Sequence, residues 1–215
     1  RDNRDKFKFD ESLREKVVNR TFTSTDSLPG NMERIGSNLI NLYTSLPSIG
    51  HEGMMEGLIS DDEMVAQWEQ SNLGSYSWVF EPQNDMVPIL QDIIRKADAV
   101  ISGSSDRIAD LRFGHDTCIG PLTVLMGING ADKDPEDPYE VKNIYQNWQT
   151  CKASNLQLVF YRGKKASDDI LVKALMNGSE VSLPVKTDCY PYYKWSDFKQ
   201  YYMGKIAKIE NIKTK

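Results

Sequence analysis

Apolar residues recur at helical spacing through the first hundred positions of this chain. From 31 to 45, Met32, Ile35, Leu39 and Leu42 fall on one face, with Leu46 just beyond, after the breaker pair Pro29-Gly30. That spacing predicts a helix over 31–45. A second helix is expected to begin after Ser60, where Asp61, Asp62 and Glu63 complement a positive N-terminal dipole, and to run to position 72. A third is expected over 85–101, with Pro88 in its first turn and Ile89, Ile93, Ala97 and Val100 as its apolar stripe. Between the second and third, Gly74-Ser75-Tyr76-Ser77-Trp78 reads as an aromatic loop.

The pattern changes at Ser102-Gly103-Ser104-Ser105. Residues 107–113 then read as a strand, and 117–128 as an apolar helix entered through Gly120-Pro121. The stretch 129–139, rich in Asp, Gly and Pro, reads as a surface loop. The run LQLVFY at 156–161 is β-prone, and the runs 170–176 and 180–185 flank Asn177-Gly178, the pair favoured in a type I′ hairpin turn. Ser196 is placed to cap a last helix over 197–209, with Phe198, Tyr201, Tyr202, Ile206 and Ile209 near one face. The expected fold class is α/β: a mixed sheet with flanking helices over 104–215, and a mainly helical lobe over 1–103.

Charge and cysteine content narrow the function classes. The 215 residues carry a net charge of -5, which argues against a general nucleic-acid binder. A local group of Arg and His can still hold phosphate on an acidic protein. No apolar run approaches the length of a membrane span. Neither nucleic acid nor membrane is therefore expected as a partner. Cys118, Cys151 and Cys189 show no CxxC pairing and no metal-ligand spacing; one disulfide at most can form, and its pairing stays open. Two N-x-S/T sequons occur, at Asn19 and Asn177. The opening Arg1-Asp2-Asn3-Arg4-Asp5, without Met or apolar leader, reads as that of a processed or fragmentary product.

The candidate chemistry sits in Leu111-Arg112-Phe113-Gly114-His115-Asp116-Thr117, where the expected strand ends and the expected helix opens. An α/β protein presents ligand-binding groups at such a place, and the free N–H groups of a new helix favour an anion. His115 can donate to a phosphoryl oxygen. Asp116 can deliver a proton if the charge of a bound phosphate raises its pKa. The geometry expected is a concave surface with Asp116 at the strand end. The alternative is a turn residue followed by a helix cap, the commoner use of such a pair.

This motif, followed by CIGPLTVLMGI, resembles the second signature of the histidine acid phosphatases, the group that includes phytases and multiple inositol polyphosphate phosphatases. The runs 153–161 and 170–178, with Leu183-Pro184 beyond, are similar to that family's last strands. The resemblance covers roughly residues 105–185 and implies an incomplete phosphoglycerate mutase-like fold. It implies a two-step phosphoryl transfer through a phosphohistidine, with no metal or organic cofactor, on a phosphorylated small molecule. His115 would hold the phosphoryl group, Asp116 would protonate the leaving alcohol, and Thr117 would touch substrate. It further implies a periplasmic or secreted location. The family's Arg-His-Gly nucleophile motif is absent: the two histidines, His51 and His115, each follow a glycine. The expected partner is therefore the N-terminal part of the same protein, and the chain by itself is expected to be inactive. A non-catalytic binding or structural module on the same scaffold is the main alternative, and an unrelated hydrolase pairing His115-Asp116 with a serine is a third.

Other features take blander readings. His51 lacks the second histidine of a zinc-protease helix, since Met55 stands four residues on, and reads as a loop residue. Asp132, Asp134, Glu136 and Asp137 lack the glycine and bidentate Glu of a calcium loop and read as a solvated loop. Cys118 reads as a small buried filler, Arg162-Gly163-Lys164-Lys165 as a basic turn, and Trp68, Tyr76 and Trp78 as packing residues rather than a sugar platform.

Overall fold

The computed structural model describes residues 12–25, 32–165 and 167–213. The chain forms two compact units, Arg1–Ser71 and Asn72–Lys215, which differ in extent from the 1–103 and 104–215 parts expected from the pattern.

In the first unit, helices α1 (Ser12–Thr21) and α2 (Met32–Ser45) bury Leu13, Val17 and Ile40 around Ile59, with Leu39, Tyr43, Leu58 and Met64 packed against them. The helix expected over 31–45 is thus present; Pro29, Gly30 and Asn31 lie outside the described residues. Helix α3 (Asp61–Phe80) opens on a capping box: the Ser60 N–H donates to Glu63 Oε2 at 3.0 Å and the Glu63 N–H to Ser60 Oγ at 3.3 Å. The Arg20 fork grips both oxygens of Glu63 at 2.8 and 2.9 Å and the Leu58 carbonyl at 2.8 Å. The Arg20 bond, helped by the Ser60 N–H, lowers the Glu63 carboxyl to about 2.

Helix α3 runs to Phe80, so Gly74–Trp78 is helical and not the expected loop. The aromatic residues decide this. Tyr76 is buried, packs at a tilt against Phe80 one turn later with centroids 5.3 Å apart, and donates from its hydroxyl to the carbonyls of Ala131 (3.1 Å) and Lys133. Burial of this kind outweighs the helix cost of one glycine, about 1 kcal/mol.

A 3-10 turn, Glu81–Met86, leads into helix α4 (Val87–Ile101) with Pro88 in its first turn, as the pattern predicts. Helix α5 (Asp116–Leu125) follows, then a short helix α6 (Val141–Ile144). Strands β1 (Leu156–Tyr161), β2 (Leu171–Met176), β3 (Ser179–Glu180) and β4 (Tyr192–Lys194) come next, and helix α7 (Trp195–Lys213) closes the unit. β2 is central, with β1 on one side in the register Leu156↔Met176 to Tyr161↔Leu171, and β3 and β4 also paired to it. All of these pairings are antiparallel, which corrects the expected mixed sheet for the described residues. Asn177 and Gly178 take φ 52° and 81°, the positive angles a type I′ turn requires, so the expected hairpin forms. Its second arm pairs only at Ser179–Glu180; Val181, Leu183 and Val185 leave the ladder and enter the core instead.

That core joins Val87, Leu90 and Ile94 of α4, Leu125 and Met126 at the end of α5, Val172, Ala174 and Met176 of β2, and Phe198, Tyr202 and Ile206 of α7. Alternation in β2 and the three-to-four spacing in α7 thus meet face to face. Polar ties fix the register. Tyr202 donates to the Met126 carbonyl at 2.7 Å, while Trp195 Nε1 (2.9 Å) and Lys199 Nζ (2.5 Å) bind the two oxygens of Asp98 in α4. Helix α7 starts at Trp195, so Ser196 lies inside its first turn and is not the cap expected of it.

Candidate active site

Helix α5 begins at Asp116, and His115 is its N-cap residue with extended backbone, φ -104° and ψ 167°. Gly120 lets the helix come close to the last turn of α3: a Cβ there would come within 2.6 Å of Val79 Cγ1. Gly120 and Pro121 are therefore interior to α5, not its entrance. Pro121 is the sixth of the ten helical residues, so α5 forgoes the bond its N–H would have made to the Thr117 carbonyl.

The strand expected over 107–113 is not formed, and this is the principal correction to the sequence reading. Residues 106–117 are exposed throughout, with Ile108, Leu111 and Phe113 at 102, 76 and 95%. A strand exists through its neighbour. Apolar alternation can mark which residues want burial, but among the described residues no strand lies beside this segment. The His115 and Asp116 side chains are 80 and 50% exposed.

The pair itself is close. His115 Nδ1 meets Asp116 Oδ1, and that same oxygen accepts the Thr117 N–H at 2.8 Å. The Cys118 N–H is taken by the His115 carbonyl at 2.9 Å. Two of the first N–H groups of α5, which an anion would use, are thus satisfied from within the motif. Thr117 is exposed and contributes its backbone here. Cys118 is half-buried, and all three cysteines are free.

Three residues far off in sequence are linked to the pair, one directly and two through another residue. Tyr145 is one: burial raises its hydroxyl pKa, and the Asp116 carboxylate adds to the effect, while its hydrogen bond to Thr150 Oγ1 at 2.9 Å opposes it. Asn72 is the second. Its amide, buried in α3, donates to the Tyr145 carbonyl at 2.8 Å and accepts the Asn147 N–H at 2.7 Å, holding residues 145–147 in place. Asn72→Ala strands both backbone groups, so a loss of about 2–4 kcal/mol is expected in urea unfolding of the chain. A loss below about 0.5 kcal/mol would mean that water replaces the amide without cost.

The third is Asp92 of α4. It receives Arg112 at 2.6 Å, Arg95 at 2.5 Å and Lys96 at 3.1 Å; Arg112 also binds Asp110 at 2.7 Å. These cations, Arg112 first, hold the Asp92 carboxyl well below the usual carboxylate range. No signal in the sequence links Asp92 to the motif, because its contact with Arg112 spans 20 residues of chain whose path only the fold sets.

The other singled-out residues take structural roles. Asp132 pairs with Lys205 at 2.9 Å, and the Asn177 side chain is fixed between the Asn155 N–H and the Gln149 carbonyl, both at 2.9 Å. Trp78 is exposed, and His51 is an exposed loop residue after a 3-10 turn. No helix among the described residues is long and apolar enough to cross a membrane. The comparisons add no family to this geometry: no protein-family model matches the chain, and no curated protein matches it.

Proposed function

We propose that this chain is the C-terminal portion of a histidine-type phosphatase, in which His115 holds the phosphoryl group, Asp116 protonates the leaving oxygen and Thr117 lines the substrate site. The phosphoglycerate mutase-like fold and the periplasmic or secreted location belong to the same reading. The observation that carries it is the make-up of the face around the pair. A His-Asp pair opens a ten-residue helix, and three large apolar side chains, Ile108, Leu111 and Phe113, stand bare on the segment that leads to it. Such a face is suited to being covered. The covering part in this reading is the remainder of the same protein, which brings the Arg-His-Gly nucleophile and turns an open rim into a cleft. The reaction is hydrolysis of a phosphomonoester or phosphoanhydride: the nucleophilic histidine attacks phosphorus, the leaving oxygen takes the Asp116 proton, and water then cleaves the phosphohistidine.

A second reading is favoured by a specific observation. Asp116, the first residue of α5, already accepts the N–H of Thr117 and touches His115, and a carboxylate engaged in this way at a helix start suits a non-catalytic binding or structural module. Hydrolysis of p-nitrophenyl phosphate separates the two. Residues 1–215 alone should be inactive, and the full-length protein should be active, with an Arg-His-Gly encoded upstream of Arg1. A full-length protein without that motif or that activity would leave the binding module. Turnover by the purified chain alone, lost on His115→Ala, would contradict the division of the site between two parts.

A further inference from the structure

The segment that delivers His115 to the start of α5 has almost no backbone support. Among the described residues, the N–H groups of 108–114 reach no acceptor, and the Arg107 N–H reaches only Ser105 Oγ, at 3.3 Å. Its apolar side chains point into solvent. What fixes its course is a lattice of charges. Arg112, three residues before His115, is shared between Asp92 of α4 at 2.6 Å and Asp110 at 2.7 Å. Asp110 in turn meets Lys96 of α4 at 3.3 Å and Arg107 at 3.7 Å. The four principal side chains, Asp92, Lys96, Asp110 and Arg112, are each 29–35% exposed, and their bonds lie at the surface, so what sets them apart is that they are shared. Isolated surface ion pairs contribute little, but a shared network of short bonds is the exception.

We propose that Asp92 is a positioning residue for the His115-Asp116 pair: through Arg112 it latches the 106–115 segment onto α4. Its oxygens serve cations of two kinds. Arg95 and Lys96 belong to its own helix, at three and four residues' spacing, and Lys96 also reaches Asp110 of the segment at 3.3 Å; Arg112 is the cation on Asp92 that comes from the segment itself. The latch is electrostatic, so it weakens with salt, whereas the apolar core beneath α4 does not. The inference rests on the pair being a functional site, but its test reads segment order and needs no catalysis, so an inactive protein leaves it standing or falling by itself.

The test uses the full 215-residue chain with trypsin at low enzyme, where cleavage follows the population of the open segment. Asp92→Asn and, separately, Arg112→Gln should speed cleavage after Arg107 about tenfold relative to sites outside the segment, the scale of one charge-assisted bond lost. Asp92→Glu, which keeps the carboxylate, should restore slow cleavage. High salt should speed cleavage in the parent and change the two variants little. The chain has two histidines, so proton NMR gives an internal control: the His115 imidazole signal should shift in both variants and the His51 signal should stay. Arg112→Gln leaves the Asp92 pairs within α4 intact, so it keeps the test valid if Asp92→Asn disturbs the helix. Unchanged cleavage after Arg107 together with an unmoved His115 signal in Arg112→Gln would overturn the latch.

Discussion

Phe198→Ala is expected to destabilise the chain by about 3–5 kcal/mol, a large part of the stability of a typical domain. Phe198 is fully buried in α7, stacked on Trp195 with centroids 5.0 Å apart and tilted against Tyr202 at 4.5 Å. It sits where α7 meets α4 and the buried face of β2, so truncation opens a cavity that three elements line. Neighbouring rings cannot collapse into it freely, since the Tyr202 hydroxyl is held by the Met126 carbonyl. In a thermal scan the midpoint should fall by roughly 10 °C for a unit of this size. Phe113 provides the contrast. The same substitution there, on a ring 95% exposed, should change stability by less than about 0.5 kcal/mol in this chain. If the remainder of the protein covers Phe113, as proposed, Phe113→Ala should become costly in the full-length protein. A small loss at Phe198 would show that the aromatic cluster is not the keystone of the second unit.

The two phenylalanines also show what the sequence could and could not say. Spacing identified the α7 face correctly, since a helix carries its own hydrogen bonds and only its stripe needs a partner. The stripes of α2 and α4 and the Asn177-Gly178 turn were legible on the same ground, being set by local geometry. Residues 107–113 were misread because a strand is defined by a neighbour, and composition is silent about neighbours. The same limit hid the all-antiparallel pairing of the described strands. Gly74–Trp78 is helical and not the expected loop because Tyr76 gains burial and two carbonyl acceptors from inside the helix, contacts that the local sequence does not reveal. At the candidate site a helix opening beside the His115-Asp116 pair was legible from the apolar run 117–128, but its entrance at Asp116, with Gly120-Pro121 inside, was not. Its exposure was not, and neither were Tyr145, Asn72 or Asp92, which reach the motif only through the fold.

The central claim, that Asp116 is a general acid, is tested most directly by paired rates in the full-length protein. Protonation matters most when the departing oxygen is a poor leaving group, as in an alkyl phosphate. Nitrophenolate leaves readily without a proton. Asp116→Asn retains the side-chain oxygen that accepts the Thr117 N–H, so the helix start should persist while the proton is lost. Its kcat on an alkyl phosphate should therefore fall by about 10²-fold or more, the usual scale of general-acid catalysis, and much less on p-nitrophenyl phosphate. His115→Ala removes a donor to the phosphoryl group and should slow both substrates by comparable factors. The decisive measurement is the ratio of the two kcat losses in Asp116→Asn: a loss about 10²-fold larger on the alkyl ester is the result expected, and equal losses on both substrates would contradict the general-acid role and leave Asp116 as a structural first-turn residue of α5.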